Sequence, residues 1–159
     1  MGYRVDMSDV QTNDFEALPA GTYICYITDG EERVTSEESP KIPNEPYLRM
    51  EFTIAEGQQF AGRKFWGNAY LQPSSNLLWT LKGLLVATGE FTSEQFDAGD
   101  IDFRLTDDED GEGPALIGTL IKVKVDRKKS DYNGEYQNNV KGYKRVTEEE
   151  ADNLDLLPG

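Results

Sequence analysis

The stretch TLIKVKVDRKKSDYNGEYQNNVKGYKRV, residues 119–146, decides the fold because it has the pattern of a β-hairpin. Apolar and mostly cationic side chains alternate over residues 120–125, which predicts a strand with one face towards a core. Asn133 and Gly134 are the strongest short hairpin signal, since both central positions of the tightest turns need positive φ. In the returning strand, strict alternation puts Lys144 on the same face as Val140 and Val146, so the apolar face is interrupted. An extra residue, a bulge near Gly142, would resolve this conflict of parity.

The same stretch is a cationic island in an acidic chain. It holds eight of the sixteen Lys and Arg residues and only three acids, whereas the 159-residue chain has a net charge of −14. Such a balance argues against nucleic-acid binding over the whole surface but allows one basic groove. Cations beside aromatic residues at the hairpin tip suit a phosphate backbone with stacked bases. The alternative is that these lysines only protect a sheet edge.

Composition removes several classes of function. The length suits one domain with a usable core, and no apolar run is long enough to span a membrane. The chain has no histidine, the commonest general base and metal ligand, and its one cysteine, Cys25, is expected in the core. No signal peptide is visible, and a reducing compartment fits the single cysteine. We therefore expect no enzyme activity, no cofactor and no metal site.

The remaining elements predict a mainly β fold. Strands are expected at residues 22–28, 46–55 and 63–71, followed by a leucine-striped helix with a serine N-cap at residue 74 or 75 and an end at Gly89. With the hairpin, this order is five strands with one helix between strands three and four. It is the element order of the OB-fold, a five-stranded Greek-key barrel.

In that fold, strands two and three and the loop joining strands four and five form the binding surface. Trp66 and Tyr70 are expected to face outward, because the opposite parity would bury Asn68. Trp79 lies off the helix stripe and is expected to pack beneath the helix. The predicted DNA-binding residues are Tyr47, Arg49, Trp66, Tyr70, Lys122, Lys124, Arg127, Lys128, Lys129, Tyr132, Tyr136, Lys141 and Tyr143.

Two acidic segments flank the hairpin. Residues 90–113 form an acidic insertion with ten acids and one basic residue, Arg104. Its residues 106–113 are expected to be a mobile loop, whereas Phe91, Phe96, Ile101 and Phe103 are expected to anchor other parts of it. We expect one OB-fold domain over residues 1–146, with a polar N-terminal arm, and then a flexible acidic tail over residues 147–159. The tail residues predicted to bind a partner are Glu148, Glu149, Glu150, Asp152, Asp155, Leu156 and Leu157.

Most of residues 18–146 resembles a known family, the phage-encoded OB-fold single-stranded-DNA-binding proteins, first catalogued as a domain of unknown function. The matching pieces are LPAGTY (18–23), PYLRMEF (46–52), GRKFW (62–66), LWTLKGLLVATG (78–89), IGTLIKVKV (117–125) and YNGEYQNNVKGY (132–143). The long acidic insertion and the acidic first loop, residues 29–45, depart from the family pattern. Both argue against contact with DNA over a broad surface.

The resemblance implies sequence-tolerant binding of single-stranded DNA in phage replication or recombination, in the cytoplasm of an infected bacterium. It also implies that the acidic tail recruits phage or host replication or recombination proteins, and a homo-oligomer is compatible with it. A different class of function stays open. The acidic segments also suit an interaction module or DNA mimic that binds a basic partner.

Overall fold

A computed structural model describes residue 2 and residues 17–35, 37–38, 44–71, 78–99, 101–108, 110–129 and 134–154. These residues form five strands and three helices. In chain order they are β1 (Gly21–Val34), β2 (Pro46–Ile54), β3 (Lys64–Tyr70), α1 (Leu78–Thr88), α2 (Ser93–Ala98), β4 (Leu120–Lys129), β5 (Tyr136–Arg145) and α3 (Glu148–Asn153). The predicted order of five strands is confirmed, but two helices lie between the third and the fourth, where one was predicted. Within these ranges, no helix is long and apolar enough to cross a membrane.

The strands form one antiparallel sheet in the order β3-β2-β1-β4-β5. β1 is shared between both halves: its first part pairs with β4 and its second part with β2. The register with β2 shifts between Ile27 and Asp29, and β1 then continues to Val34, where a loop had been expected from Asp29. Among the described residues β3 and β5 do not pair, so the sheet is not closed into a barrel.

Alternation of side chains builds the core on one face of this sheet. Met50, Phe52 and Ile54 of β2 are buried, as are alternate residues of β1, β3 and β4. α1 packs against β5 and β3 and buries Leu84 and Leu85. The helix therefore covers the open side of the sheet, where β3 and β5 approach each other. The predicted end of the helix at Gly89 is confirmed, since α1 ends at Thr88 and Gly89 has φ 74°. The predicted serine N-cap lies outside the described residues.

Gly67 shows how closely β3 and β5 approach. A Cβ atom placed there would lie 2.9 Å from Val140 Cγ2 and 3.0 Å from the Tyr143 hydroxyl, both on β5. It would also lie 3.3 Å from the Phe52 ring. A side chain at residue 67 would thus fill the space in which β5 crosses β3. We call the unpaired approach of these two strands the seam.

The hairpin register differs from the one that the sequence predicts. A two-residue turn at Asn133-Gly134 would place Arg127 opposite Val140, but the structure pairs Arg127 with Asn138. Gly134 has φ 73°, and Asn133 lies outside the described residues. The Asn138 side chain accepts a hydrogen bond from Leu18 N (2.7 Å) and donates to Leu18 O (2.8 Å) and Asp126 O (2.9 Å). These bonds hold the observed register. The alternation of apolar and polar side chains cannot specify it, because a shift of two residues leaves every side chain on the same face.

The predicted bulge is confirmed. Lys124 lies opposite Gly142 and Val125 opposite Val140, so Lys141 is the extra residue. Its ammonium lies 3.4 Å from an Asp126 carboxylate oxygen. The bulge thereby restores the apolar parity of Val140 and turns one lysine towards the neighbouring strand.

The acidic insertion is partly regular. Thr92 and Gln95 form a capping box at the start of α2, and Gly99 ends the helix with φ 73°. Arg104 then pairs with Ala115 in a short parallel bridge and donates to Gly113 O. The helix α2 was not predicted, but the expected anchoring is confirmed, because Phe91, Phe96, Ile101 and Phe103 pack against the core.

The first part of the predicted tail is a helix that contacts the sheet. Thr147 and Glu150 form its capping box, and Ala151 is buried. Lys122 Nζ on β4 lies 3.0 Å from Glu150 Oε1. Glu148, Glu149 and Asp152 stay exposed, whereas Asp155, Leu156 and Leu157 lie outside the described residues. The tail therefore begins with a segment that takes up one of the cations predicted for DNA.

This ion pair predicts a pH-dependent contribution to stability. The hydrogen bond from Lys122, and after it one from Thr147, holds the pKa of Glu150 below its ordinary value of 4.5. A carboxyl group with a lowered pKa stabilises the folded state above the unfolded pKa, and this contribution is lost as pH falls through the folded value. We expect the free energy of unfolding to fall more steeply below pH 4.5 in the wild type than in Glu150→Gln.

Urea unfolding at a series of pH values measures this difference. Glu149→Gln is the matched control, because Glu149 is exposed and forms no ion pair in the described part of the chain. Its profile is expected to follow the wild type. Parallel profiles for the wild type and Glu150→Gln would show that the ion pair makes no contribution.

Candidate nucleic-acid interface

A groove runs along the seam between β3 and β5. It consists of a cavity of about 740 Å³ towards the hairpin and one of about 340 Å³ towards α1. Trp66 and Asn138 line both cavities, so the two are continuous. The groove exists because the sheet curves until β3 faces β5 without pairing. We call it the seam groove.

The β3 side of the seam groove carries an aromatic platform. Trp66 is 45% exposed, while Phe65 on the other face of the strand is buried, so the predicted outward parity is confirmed. The Arg49 guanidinium lies 5.4 Å from the centre of the Trp66 ring. Next to them, the Tyr47 and Tyr70 rings lie 5.5 Å apart. An exposed indole beside a cation is suited to stack a base and hold its phosphate.

The β5 side of the groove carries the tip end of the hairpin. Tyr136 is 52% exposed and lines the larger cavity, and Arg127 lies 4.5 Å above its ring. Lys128 and Lys129 are exposed at the end of β4. The structure thus brings Arg49, Trp66 and Tyr136 to one cavity, with the hairpin cations beside them. Tyr132 lies outside the described residues.

Lys141 enters the groove with its charge partly balanced. It lines the smaller cavity, and Asp126 lies 3.4 Å away. Burial by itself raises the pKa of Asp126, but hydrogen bonds from Asn139 and Lys141 outweigh it and leave the pKa lowered. The aspartate is therefore ionised at neutral pH and reduces the positive potential at this end of the groove.

Two predicted DNA contacts lie outside the seam groove, and a third lies in its floor. Lys122 is held by Glu150, and Lys124 follows on the same outer face of β4, so neither lines the seam groove. Tyr143 is a floor residue of the smaller cavity: its ring packs 5.7 Å from Phe52, and burial raises its pKa above the ordinary range. Tyr143 faces inward because the bulge at Lys141 shifts the register of β5, so that Tyr143 pairs with buried Val123 and shares its face.

Some groove residues were not identified from the sequence. Trp79 was expected beneath the helix, but it is 56% exposed and lines the smaller cavity. Arg63 and Lys64 line the larger cavity, and Lys64 also lies 3.1 Å from Glu51. The GRKFW motif placed these cations next to Trp66, which was an available signal. The position of Trp79 off the leucine stripe was the corresponding signal for exposure.

The seam groove is cationic towards the hairpin and acidic beyond Trp66. On that far side, Asp29, Glu31 and Glu51 line a cavity of about 270 Å³ together with Arg33 and Arg49. Arg33 is already paired with Glu31 at 2.9 Å. A phosphate chain would be repelled from this side, so the favourable path follows β3 and β5 and does not cross β1.

Comparison with known proteins gives one family. The family model described as "Protein of unknown function (DUF669)" matches residues 3–153. No curated protein matches the chain.

Proposed function

The chain belongs to the DUF669 family, and we propose that its seam groove binds single-stranded DNA without catalysis and with little sequence preference. The observation that carries this proposal is the joint lining of the larger cavity by Trp66, Tyr136, Arg49, Arg63 and Lys64. Stacking rings accept any base, and cations follow the phosphates. Most of the remaining surface repels nucleic acid, because the chain as a whole carries −14.

We further propose that the protein is an OB-fold protein encoded by a phage; the strand order supports the OB-fold part. The order β3-β2-β1-β4-β5 has the neighbours of an OB barrel, in which β3 and β5 would complete the circle. The binding face of that fold, strands two and three with the loop between four and five, corresponds to the walls of the seam groove. In this proposal the protein acts in phage DNA replication or recombination inside the infected bacterium, and the exposed acids of α3 contact replication or recombination proteins.

Tryptophan fluorescence during titration with an oligothymidine tests the proposal. Both tryptophans line the smaller cavity and are about half exposed, so stacked bases are expected to quench them. Quenching should be strong at low salt, weaken as salt is added, and be slight with a duplex of equal length. No response to either DNA at low salt would contradict the proposal and favour an acidic module that binds a basic protein.

The hairpin cations should determine the salt dependence. Replacing Lys128 and Lys129 together with alanine removes two exposed cations. If each contacts a phosphate, the slope of log K against log salt should fall by about 1.4, or about 0.7 per contact on single strands. Anisotropy of a labelled oligothymidine at four salt concentrations measures the slope.

The matched control removes the same charge away from the groove. Lys82 lies on α1 and Lys144 on the outer face of β5, and neither lines the seam groove. Replacing this pair with alanine should leave the slope unchanged. Equal slopes in both double variants and the wild type would mean that the hairpin does not contact the DNA.

A further inference from the structure

α1 exposes a second apolar face beside the acidic insertion. A cavity of about 510 Å³ lies between the helix and residues 96–103, with Trp79, Phe96, Ile101 and Phe103 among the residues that line it. A smaller cavity of about 230 Å³ continues along the helix past Val86. We call the two together the α1 cleft.

The outer stripe of α1 is unusual for a surface helix. Trp79, Lys82 and Val86 follow one another at spacings of three and four residues, so they share a face. Trp79 is 56% exposed and Val86 is 50% exposed, although the opposite side of the helix already buries Leu84 in the core. Lys82 lies 5.4 Å above the Phe96 ring and so covers apolar surface with its stem. Contiguous apolar surface of this kind marks an interaction site.

The surroundings of the α1 cleft determine what chemistry fits it. Glu94, Asp97 and Asp102 are exposed on the segment that forms its wall, and Asp97 lines the smaller cavity. Within the described ranges none of these three acids is in an ion pair. Lys82 is the one cation among the lining residues of both cavities. These acids repel a phosphate chain. A segment with apolar side chains flanked by cations fits, because the apolar side chains match the cleft and the cations match the acids.

We propose that the α1 cleft binds an amphipathic, basic segment of a partner protein. Its apolar side chains enter between Trp79 and Phe103, and its Lys or Arg residues lie against Asp97 and Asp102. A helix laid in a groove is the recognition mode that such a stripe fits. The α1 cleft shares Trp79 with the smaller cavity of the seam groove but no lining residue with the larger, cationic cavity. Asp97 and Asp102 line neither cavity of the seam groove, so they allow the proposal to be tested apart from DNA binding.

Two synthetic peptides of about 14 residues test the proposal. Both carry Leu and Phe at helical spacing; one has Lys at the remaining positions and its twin has Glu. Amide correlation spectra of the ¹⁵N-labelled full chain locate binding. The Lys peptide is expected to shift the amides of Lys82, Phe96, Ile101 and Phe103, and the Glu peptide to bind at least about tenfold more weakly.

Charge reversal supplies the matched variants. Asp97→Lys with Asp102→Lys should weaken the Lys peptide at least about tenfold and leave oligothymidine affinity within about twofold. Asp108→Lys with Asp110→Lys makes the same change of charge in the same acidic segment, at exposed residues that do not line the cleft. This control should bind the Lys peptide within about threefold of the wild type.

Several results would overturn the proposal. These are equal binding of both peptides, amide shifts outside the cleft, or no binding of the Lys peptide at about 1 mM, where even weak complexes form. Equal loss in both charge-reversed variants would show only a nonspecific charge effect. Self-association of the wild type that disappears in Asp97→Lys with Asp102→Lys would make the occupant a second copy of this chain.

Discussion

Replacing Phe52 with alanine is expected to lower the free energy of unfolding by about 3–5 kcal/mol, because it removes a buried ring and leaves a cavity. Phe52 is fully buried, and its ring centre lies 5.5 Å from that of Phe65 and 5.7 Å from that of Tyr143. It therefore supports β3 and β5 from below, at the point where Gly67 brings the two strands together. The loss is a large fraction of the stability of an ordinary domain, about 5–15 kcal/mol.

Urea unfolding followed by circular dichroism measures this effect. Phe52→Leu is the matched control, because it keeps most of the apolar contact and should cost clearly less than the alanine variant. Tyr136→Ala removes an aromatic ring that is half exposed and should change stability by less than about 1 kcal/mol. If Phe52→Ala cost no more than Tyr136→Ala, the seam would not depend on the Phe52 cluster.

The second large effect is expected for DNA binding. Replacing Trp66 with alanine should weaken oligothymidine binding by about 1–3 kcal/mol, which is about 5- to 160-fold. The ring is the exposed residue shared by both cavities of the seam groove, and Arg49 lies over it. The slope of log K against log salt should change little, since the substitution removes a stacking surface and no cation.

Anisotropy of a labelled oligothymidine is the suitable measurement, because the variant loses one of the two tryptophans. Trp66→Phe keeps a flat ring and should recover most of the affinity. A structural role would instead lower the free energy of unfolding of Trp66→Ala together with its DNA affinity. Unfolding curves must confirm that both variants are folded. Affinity within about twofold of the wild type for Trp66→Ala would remove Trp66 from the site.

Much of the candidate site follows from local sequence patterns. The outward parity of Trp66 is correct because Phe65 and Ala69 are apolar and the side chains of a strand alternate between its faces. The bulge near Gly142 follows from the conflict of parity in β5. In contrast, Lys122 and Tyr143 were assigned to the DNA surface from the sequence alone. Whether such a side chain is free, paired or buried depends on contacts with other elements. Lys122 meets Glu150, a residue 28 positions away, and Tyr143 packs on Phe52 of another strand.

Local patterns of the chain predict the five strands, a helix between the third and fourth, and the apolar face of β2, β3 and β4. These features depend on periodicity and turn residues within short segments of chain. Only the tertiary structure decided the hairpin register, which Asn138 holds through contacts with Leu18 and Asp126. It also decided that the sheet stays open at the seam and that Trp79 reaches the groove. Contacts between residues far apart in the chain settle the register and the open seam, which no local pattern encodes, and they also give exposed Trp79 its place in the groove.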